Sequence, residues 1–399
     1  MTEIMRKNHE SGIRKIIVEV VMMTGCLPKH SLALLKARGY QLASLQRKVR
    51  EMEQEEILRE YKGPKYRSGI ERYWGYTLNW TERVQDVLAC SVDTMLVDHF
   101  KTNSSNDGYR LASNSSEYTE RLKVVKNAES LEFFYGINFK AIIHEISRTQ
   151  DTNENTYYTS KIFKISGTQN LTSDIDKKKN ISGTRMNGMV MTLGGNMLVY
   201  NLDKRYMGSF SITGETKAVV YGNRILAEKN KQIDGALLLA KDESLYEFIL
   251  VPPSKYFQTR ISGLENVYEH IYALALNETG QKMMRIMSAK GWQTKLYSMV
   301  LKPELIRAKK GAVECDGYNA ATDQYIFVYC VPDIKRFKKF LRIAEIDNNR
   351  DKYLVYCFDT QKNIVIKVVG QYAKVYTTKF EGVYRHLCDE TETTTPLDT

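Results

Sequence analysis

Two sets of residues have side chains whose types and spacing suit chemistry. The first lies between Ala43 and Arg72. Ser44, Gln46, Arg47 and Arg50 fall on one side of a helical stretch. There Arg can hydrogen-bond bidentately to guanine and Gln to adenine, and small Ala43 and Ser44 let a helix approach a groove closely. Just downstream, Lys62, Lys65, Arg67 and Arg72 gather around a turn containing Gly63, Pro64 and Gly69, placed to neutralise phosphates. The second set is Asp203, at the end of an expected strand, with Glu215-Thr216-Lys217 twelve residues later. An Asp followed by Glu-x-Lys can place two carboxylates on Mg²⁺ while the lysine assists a water attacking a phosphodiester. Each set also has a plainer reading. Charges on a helix are often only solvated, and Glu215 where a helix begins complements the helix dipole. For the first set, composition, order and spacing agree, so DNA binding is preferred. For Asp203, Glu215 and Lys217 the structural reading is preferred, with a Mg-dependent nuclease kept as the alternative, and no metal or other cofactor is expected.

The elements that position the first set read as three helices and a hairpin. Ile13, Ile16, Ile17, Val20 and Val21 predict a helix over Ile13 to Met23, capped by Ser11 and ended by Thr24-Gly25. A second helix is expected to start with Pro28 in its first turn, bury Leu32 and Leu35, and stop at Gly39. In the third, Leu42, Leu45, Val49 and Met52 form one stripe, which turns Ala43, Ser44, Gln46, Arg47 and Arg50 outward. Ile57 to Tyr61 and Arg72 to Leu78 alternate like two strands joined by the basic turn. This order is that of a winged helix-turn-helix.

Composition sets the frame. A chain of 399 residues with 43% hydrophobic residues can build two or three cores. The net charge is +11, and residues 1–80 hold 15 Lys and Arg against 9 Asp and Glu. That balance favours a polyanionic partner without naming one. Cys26, Cys90, Cys315, Cys330, Cys357 and Cys388 are scattered, and most are expected to be reduced core thiols rather than a zinc site. The N-terminus lacks the apolar core of a secretory signal, and no apolar run approaches the roughly 18 residues of a membrane span. A cytoplasmic location with no membrane contact is expected.

Beyond the hairpin, Val84 to Leu96 suggests a helix, residues 101–116 a polar linker, and Leu122, Val125, Leu131 and Phe134 a further helix capped by Ser116 and ended by Gly136. These two helices are candidates for pairing in a homodimer, or equally for packing within one chain. Strand-like Tyr157 to Ile165, the cationic run Lys177 to Lys179, a hairpin around Gly194-Gly195-Asn196, a helix over Glu215 to Lys229, and strands Ile233 to Ala240 and Val267 to Leu276 follow. A helix from Glu278 through Leu305 is interrupted near Gly291-Trp292. The C-terminal part alternates as strand Tyr325 to Tyr329, helix Ile334 to Ala344, strand Tyr353 to Phe358 and strand Ile364 to Val369, a small α/β layer. Its helix turns Lys335, Arg336, Lys338, Lys339 and Arg342 outward, either as an ordinary solvated face or as a second nucleic-acid surface. The fold class expected is α+β, a winged helix-turn-helix followed by mixed α/β domains. The divisions are 11–80, a helical linker over 81–136, a central α/β domain over 137–310, a C-terminal α/β part over 311–388 and a disordered tail over 389–399.

Phosphate-cradling loops, nucleophile elbows and dinucleotide fingerprints are missing, and His9, His30, His99, His144, His270 and His386 are isolated in sequence. The winged helix, Tyr158-Thr159-Ser160-Lys161-Ile162-Phe163-Lys164, Val199-Tyr200-Asn201 within Met197 to Asn201, and the segment Leu354 to Gln361 together resemble the replication-relaxation family of Gram-positive plasmids and integrative conjugative elements. The resemblance implies a mobile-element protein that binds double-stranded DNA and acts in replication, transfer or transcription. It also implies a central domain sometimes likened to the restriction-endonuclease fold. No catalytic residue carries over from it.

Overall fold

The computed structural model describes residues 3–62, 73–79, 81, 115–142, 155–160, 184–202, 210–227, 229–240, 261, 263–301 and 313–392. The protein is mixed α/β. It divides into two compact units, one of residues 1–151 and 156–166 and the other of residues 152–155 and 167–399.

The first unit begins with α1 (Glu3–Thr24), which buries Ile13, Ile16, Ile17, Val20 and Val21 as the periodicity predicts. The helix starts eight residues before the expected Ser11 cap. Ser11 and Gly12 lower helix propensity by only about 0.5 to 1 kcal/mol each, too little to break a hydrogen-bond ladder. At its end Gly25, at φ +97°, donates its N–H to Val21 O at 2.7 Å. Pro28 does not open a helix. Instead β1 (Leu27–Pro28) pairs antiparallel with β3 (Tyr73–Leu78), which pairs antiparallel with β2 (Leu58–Lys62), in the order β1-β3-β2. Proline lacks an N–H and is tolerated at a sheet edge, and that is where β1 lies. Its partner Gly75 is required here, since a Cβ would stand 2.0 Å from Leu27 O. The expected second helix is a 3₁₀ helix over Leu32–Arg38, closed by Gly39. Between them and the hairpin runs α2 (Leu42–Gln54), within the bounds read from sequence.

Helix α3 (Ser115–Gly136) packs against α1, β1 and the 3₁₀ helix, so it is part of this unit's core. Val125 and Ala128 meet Cys26 and Tyr61. Three polar latches supplement that contact. Arg38 Nε donates to Tyr135 O at 2.6 Å, the Tyr135 hydroxyl donates to Glu19, and buried Glu129 accepts from Lys126 Nζ at 2.8 Å while lying 2.5 Å from His30 Nε2. Burial alone would raise the Glu129 pKa. The Lys126 ammonium and His30 outweigh it and hold the carboxyl down at about 2. Nearby Glu132 is fully buried and is pushed well above the carboxylate range by desolvation. The unit also contains a short parallel pair, β4 (Lys140–Ile142) and β5 (Thr156–Thr159). Of the strand expected over Tyr157 to Ile165, Tyr157 to Thr159 lie in β5 and residues 161–165 lie outside the described residues, as do the helix expected at Val84 to Leu96 and the run Lys177 to Lys179.

In the second unit β6 (Gly188–Met191) and β7 (Asn196–Leu202) form the expected hairpin. Helix α4 (Ile212–Ala227) crosses from β7 to β8 (Gly235–Ala240), which lies parallel to both β7 and β9 (His270–Ala275). Every residue of β7 and β8 is buried, as expected for parallel strands covered on both faces. Helices α5 (Glu278–Ser288) and α6 (Trp292–Val300) follow, divided at Gly291 as expected.

A second sheet, ordered β10-β11-β12-β13, comprises β10 (Gly317–Asn319), β11 (Gln324–Val328), β12 (Tyr353–Phe358) and β13 (Lys374–Thr378). Helix α7 (Ile334–Asp347) links the parallel strands β11 and β12. The segment Ile364 to Val369 is not a strand but lies in helix α8 (Lys362–Val369). Its buried residues are Ile364, Val365, Val368 and Val369, a helical stripe, so burial at period 3.6 overrides the β preference of branched side chains. The last helix, α9 (Phe380–Glu392), extends past Cys388 into the stretch expected to be disordered, and residues 393–399 lie outside the described set. Among the described residues Cys26, Cys315, Cys330, Cys357 and Cys388 are free thiols, all but Cys388 buried. No helix among them is long and apolar enough to cross a membrane.

Candidate nucleic-acid interface

Helix α2 is oriented by what it buries. Leu45, Val49 and Met52 pack inward, and Lys48 lies with them, its Nζ 2.5 Å from Glu51 Oε2. Ala43, Gln46, Arg47 and Arg50 are exposed and Ser44 is half-buried, so one face carries the residues selected from sequence. Arg47 Nε lies 3.8 Å from Glu51 Oε1 with both side chains well exposed, a weak pairing in itself. Among the described residues Arg50 has no ion-pair partner. Such a face offers bidentate donors to guanine and a donor-acceptor pair to adenine.

The hairpin beside α2 has the expected strands, with a register shift between Tyr61 and Lys62, whose backbone pairs with Tyr73. Lys65, Arg67 and Arg72 lie outside the described residues. One cation near the hairpin was not singled out from sequence. Lys29 Nζ bonds Glu60 Oε1 at 3.1 Å and sits 4.6 Å from the centre of the Tyr76 ring. Burial lowers the Lys29 pKa, but the bonds to Glu60 and Tyr76 outweigh it and raise the pKa overall. Lys29 follows the misassigned Pro28, and only the pairing of β1 with β3 brings it beside Tyr76.

Of the second set, Asp203 lies outside the described residues. Glu215 sits in the first turn of α4 and is fully buried, not displayed to solvent. Its Oε2 accepts from Thr184 Oγ1 at 2.8 Å and from the Tyr200 hydroxyl at 2.6 Å, and its Oε1 accepts from Arg185 N at 3.1 Å. Tyr200 in turn lies 2.5 Å from the Tyr268 hydroxyl. Desolvation raises the Glu215 pKa, opposed by the hydrogen bonds from Tyr200, Arg185 and Thr184. Lys217 is half-buried two residues on. The carboxylate thus ties α4 to β7 and to the segment before β6. Among the described residues no cluster of three or more His, Cys, Asp or Glu could hold a metal ion.

The basic face of α7 is largely occupied by local partners. Lys335 Nζ donates to Tyr268 O at 2.7 Å, Arg336 pairs with Glu314 at 2.9 Å and with Asp316 at 2.7 Å, and Lys338 pairs with Glu265 at 2.6 Å. Those contacts favour the solvated-helix reading over a second nucleic-acid surface.

No protein-family model, curated protein or solved structure matches this chain.

Proposed function

We propose that the chain is a sequence-specific double-stranded DNA-binding protein in which α2 enters the major groove and the segment joining β2 to β3 contacts phosphates. The observation that carries this reading is the exposure of Gln46, Arg47 and Arg50 on the face of α2 opposite Leu45, Val49 and Met52. The succession α1, β1, 3₁₀ helix, α2, β2, β3 with sheet order β1-β3-β2 supports a winged helix-turn-helix, in which such a helix reads bases and a hairpin loop flanks it. The net charge of +11 supports a polyanionic partner. A role in replication, transfer or transcription of a mobile element follows from the sequence resemblance, and a cytoplasmic location accords with it.

Selection of a preferred duplex from a random pool tests the reading. Arg47→Ala and Arg50→Ala each weaken binding to the selected duplex by about 1 to 3 kcal/mol and reduce discrimination against other sequences. Lys65→Ala and Arg67→Ala weaken binding to all duplexes and flatten its salt dependence. Failure to enrich any sequence refutes specificity. Two half-sites read by a symmetric pair would suit a single recognition helix per chain. Light scattering on the selected duplex, if palindromic, is expected to give two chains per duplex, and one chain per duplex refutes the dimer.

A further inference from the structure

The second unit contains a cavity of about 500 Å³, a size typical of small-ligand sites. It opens where the parallel strands begin, at Met197, Gly235 and His270. Its sign of charge is opposite to that of the chain. Asp234 and Glu269 line it and, among the described residues, no Lys or Arg does, in a protein of net charge +11. One carboxylate is fixed in place, since Asp234 Oδ2 accepts from Asn196 N at 2.7 Å.

The remaining lining is mixed, with polar Gln232 and Gln293 beside aliphatic and aromatic side chains. Met197, Ile233 and Val267 contribute aliphatic and thioether surface, and Trp292 meets Tyr272 edge to face with centroids 5.7 Å apart. Gln293 Nε2 donates to the Tyr272 hydroxyl at 2.7 Å, which fixes that ring. His270 also faces the cavity, its Nδ1 held 2.8 Å from Asp333 Oδ2, so the pair adds no net positive charge when the imidazole is protonated. Carboxylates attract a cation, and the aliphatic and aromatic part of the lining favours an apolar portion in the ligand. A phosphate or other anion would meet like charge at Asp234 and Glu269.

We propose that this cavity is a binding site for a small organic cation with an apolar body. It is separate from the DNA-binding reading, and either can fail alone. The test uses the full-length protein and three probes of one shape: benzamidine, neutral benzamide and anionic benzoate. Calorimetric titration near neutral pH is expected to give a sub-millimolar Kd for benzamidine, at least tenfold tighter than for benzamide and tighter still than for benzoate. Asp234→Asn with Glu269→Gln alters only exposed side chains, and the amide oxygen introduced by the first substitution still accepts from Asn196 N, so the fold is retained. That double variant is expected to lose at least tenfold in benzamidine affinity and leave benzamide binding unchanged. Equal affinity for the three probes, a preference for benzoate, no benzamidine binding at millimolar concentration, or an unchanged preference in the double variant would each overturn the proposal.

Discussion

Glu129→Gln offers the sharpest test of how the first unit is held together. The substitution keeps the size of the side chain and removes a buried charge that accepts from Lys126 and contacts His30. A carboxyl lowered from 4.5 to about 2 in the folded chain gains roughly 3 kcal/mol of folding free energy at neutral pH, at about 1.36 kcal/mol per pH unit. Breaking a buried ion pair by removing one partner costs a similar amount, about 3 to 5 kcal/mol, because the remaining charge is stranded. Lys126 is 1% exposed, so water does not make up for the lost carboxylate. For a unit of this size the loss corresponds to a fall of roughly 6 to 12 °C in its thermal transition, readable by scanning calorimetry at pH 7. The folded pKa is lowered, so the contribution is present above 4.5 and disappears as pH falls from 4.5 toward 2. Wild type and Glu129→Gln are therefore expected to converge over that interval. Removing both charges with Lys126→Met and Glu129→Leu is expected to cost less than Glu129→Gln alone. A difference below about 1 kcal/mol at pH 7, or one that persists unchanged to pH 2, refutes the reasoning.

Glu215 has the opposite sign. Its folded pKa is raised, so the stability it contributes is complete below the ordinary carboxylate range and declines as pH rises through the folded value. Glu215→Gln is expected to flatten that decline in a plot of Tm against pH, whereas Glu215→Ala removes the acceptor shared by the Thr184 hydroxyl, the Arg185 N–H and the Tyr200 hydroxyl, the last keeping its bond to Tyr268, at a cost of about 1 to 3 kcal/mol. The same two variants examine the nuclease alternative: supercoiled plasmid with Mg²⁺ or Mn²⁺ is expected to stay intact with wild type, and nicking abolished by Glu215→Gln contradicts the structural role. Gly75→Ala drives a methyl into Leu27 O and is expected to detach β1 from β3, at about 2 kcal/mol or more, seen as faster amide exchange at Leu27 and Tyr76.

What sequence alone revealed followed from periodicity. The stripe Leu42, Leu45, Val49 and Met52 placed α2 and its outward face, and the apolar and aromatic run Tyr353 to Phe358 placed β12, because in both cases burial and local propensity agree. The failures occur where they conflict. Ile364 to Val369 is rich in β-branched residues yet buries a helical stripe. Lys374 to Thr378 went unread because β13 is an edge strand, partly exposed, with Tyr376 at the surface and little apolar alternation to detect. Pro28 fits a helix start locally, and only a strand far along the chain, pairing Pro28 with Gly75, makes it an edge residue. Glu215 was noticed as a possible metal ligand, but charge type alone gives no sign that its carboxylate is buried and takes donors from Thr184, Arg185 and Tyr200. Lys29 beside Tyr76, and the cavity between Asp234 and Trp292, depend on residues far apart in the chain and leave no local signal.

The central claim is that α2 and the adjoining hairpin segment read and grip DNA. Fluorescence anisotropy with a selected duplex and a scrambled duplex, across a salt series, tests it most directly in the variant lacking Arg47, Arg50, Lys65 and Arg67. The account predicts that the variant keeps the thermal stability of wild type, loses its preference for the selected duplex, and binds both duplexes more weakly with a salt slope lower by about 2, from the two phosphate-contacting cations Lys65 and Arg67. Unchanged affinity and an unchanged salt slope in that variant would contradict it.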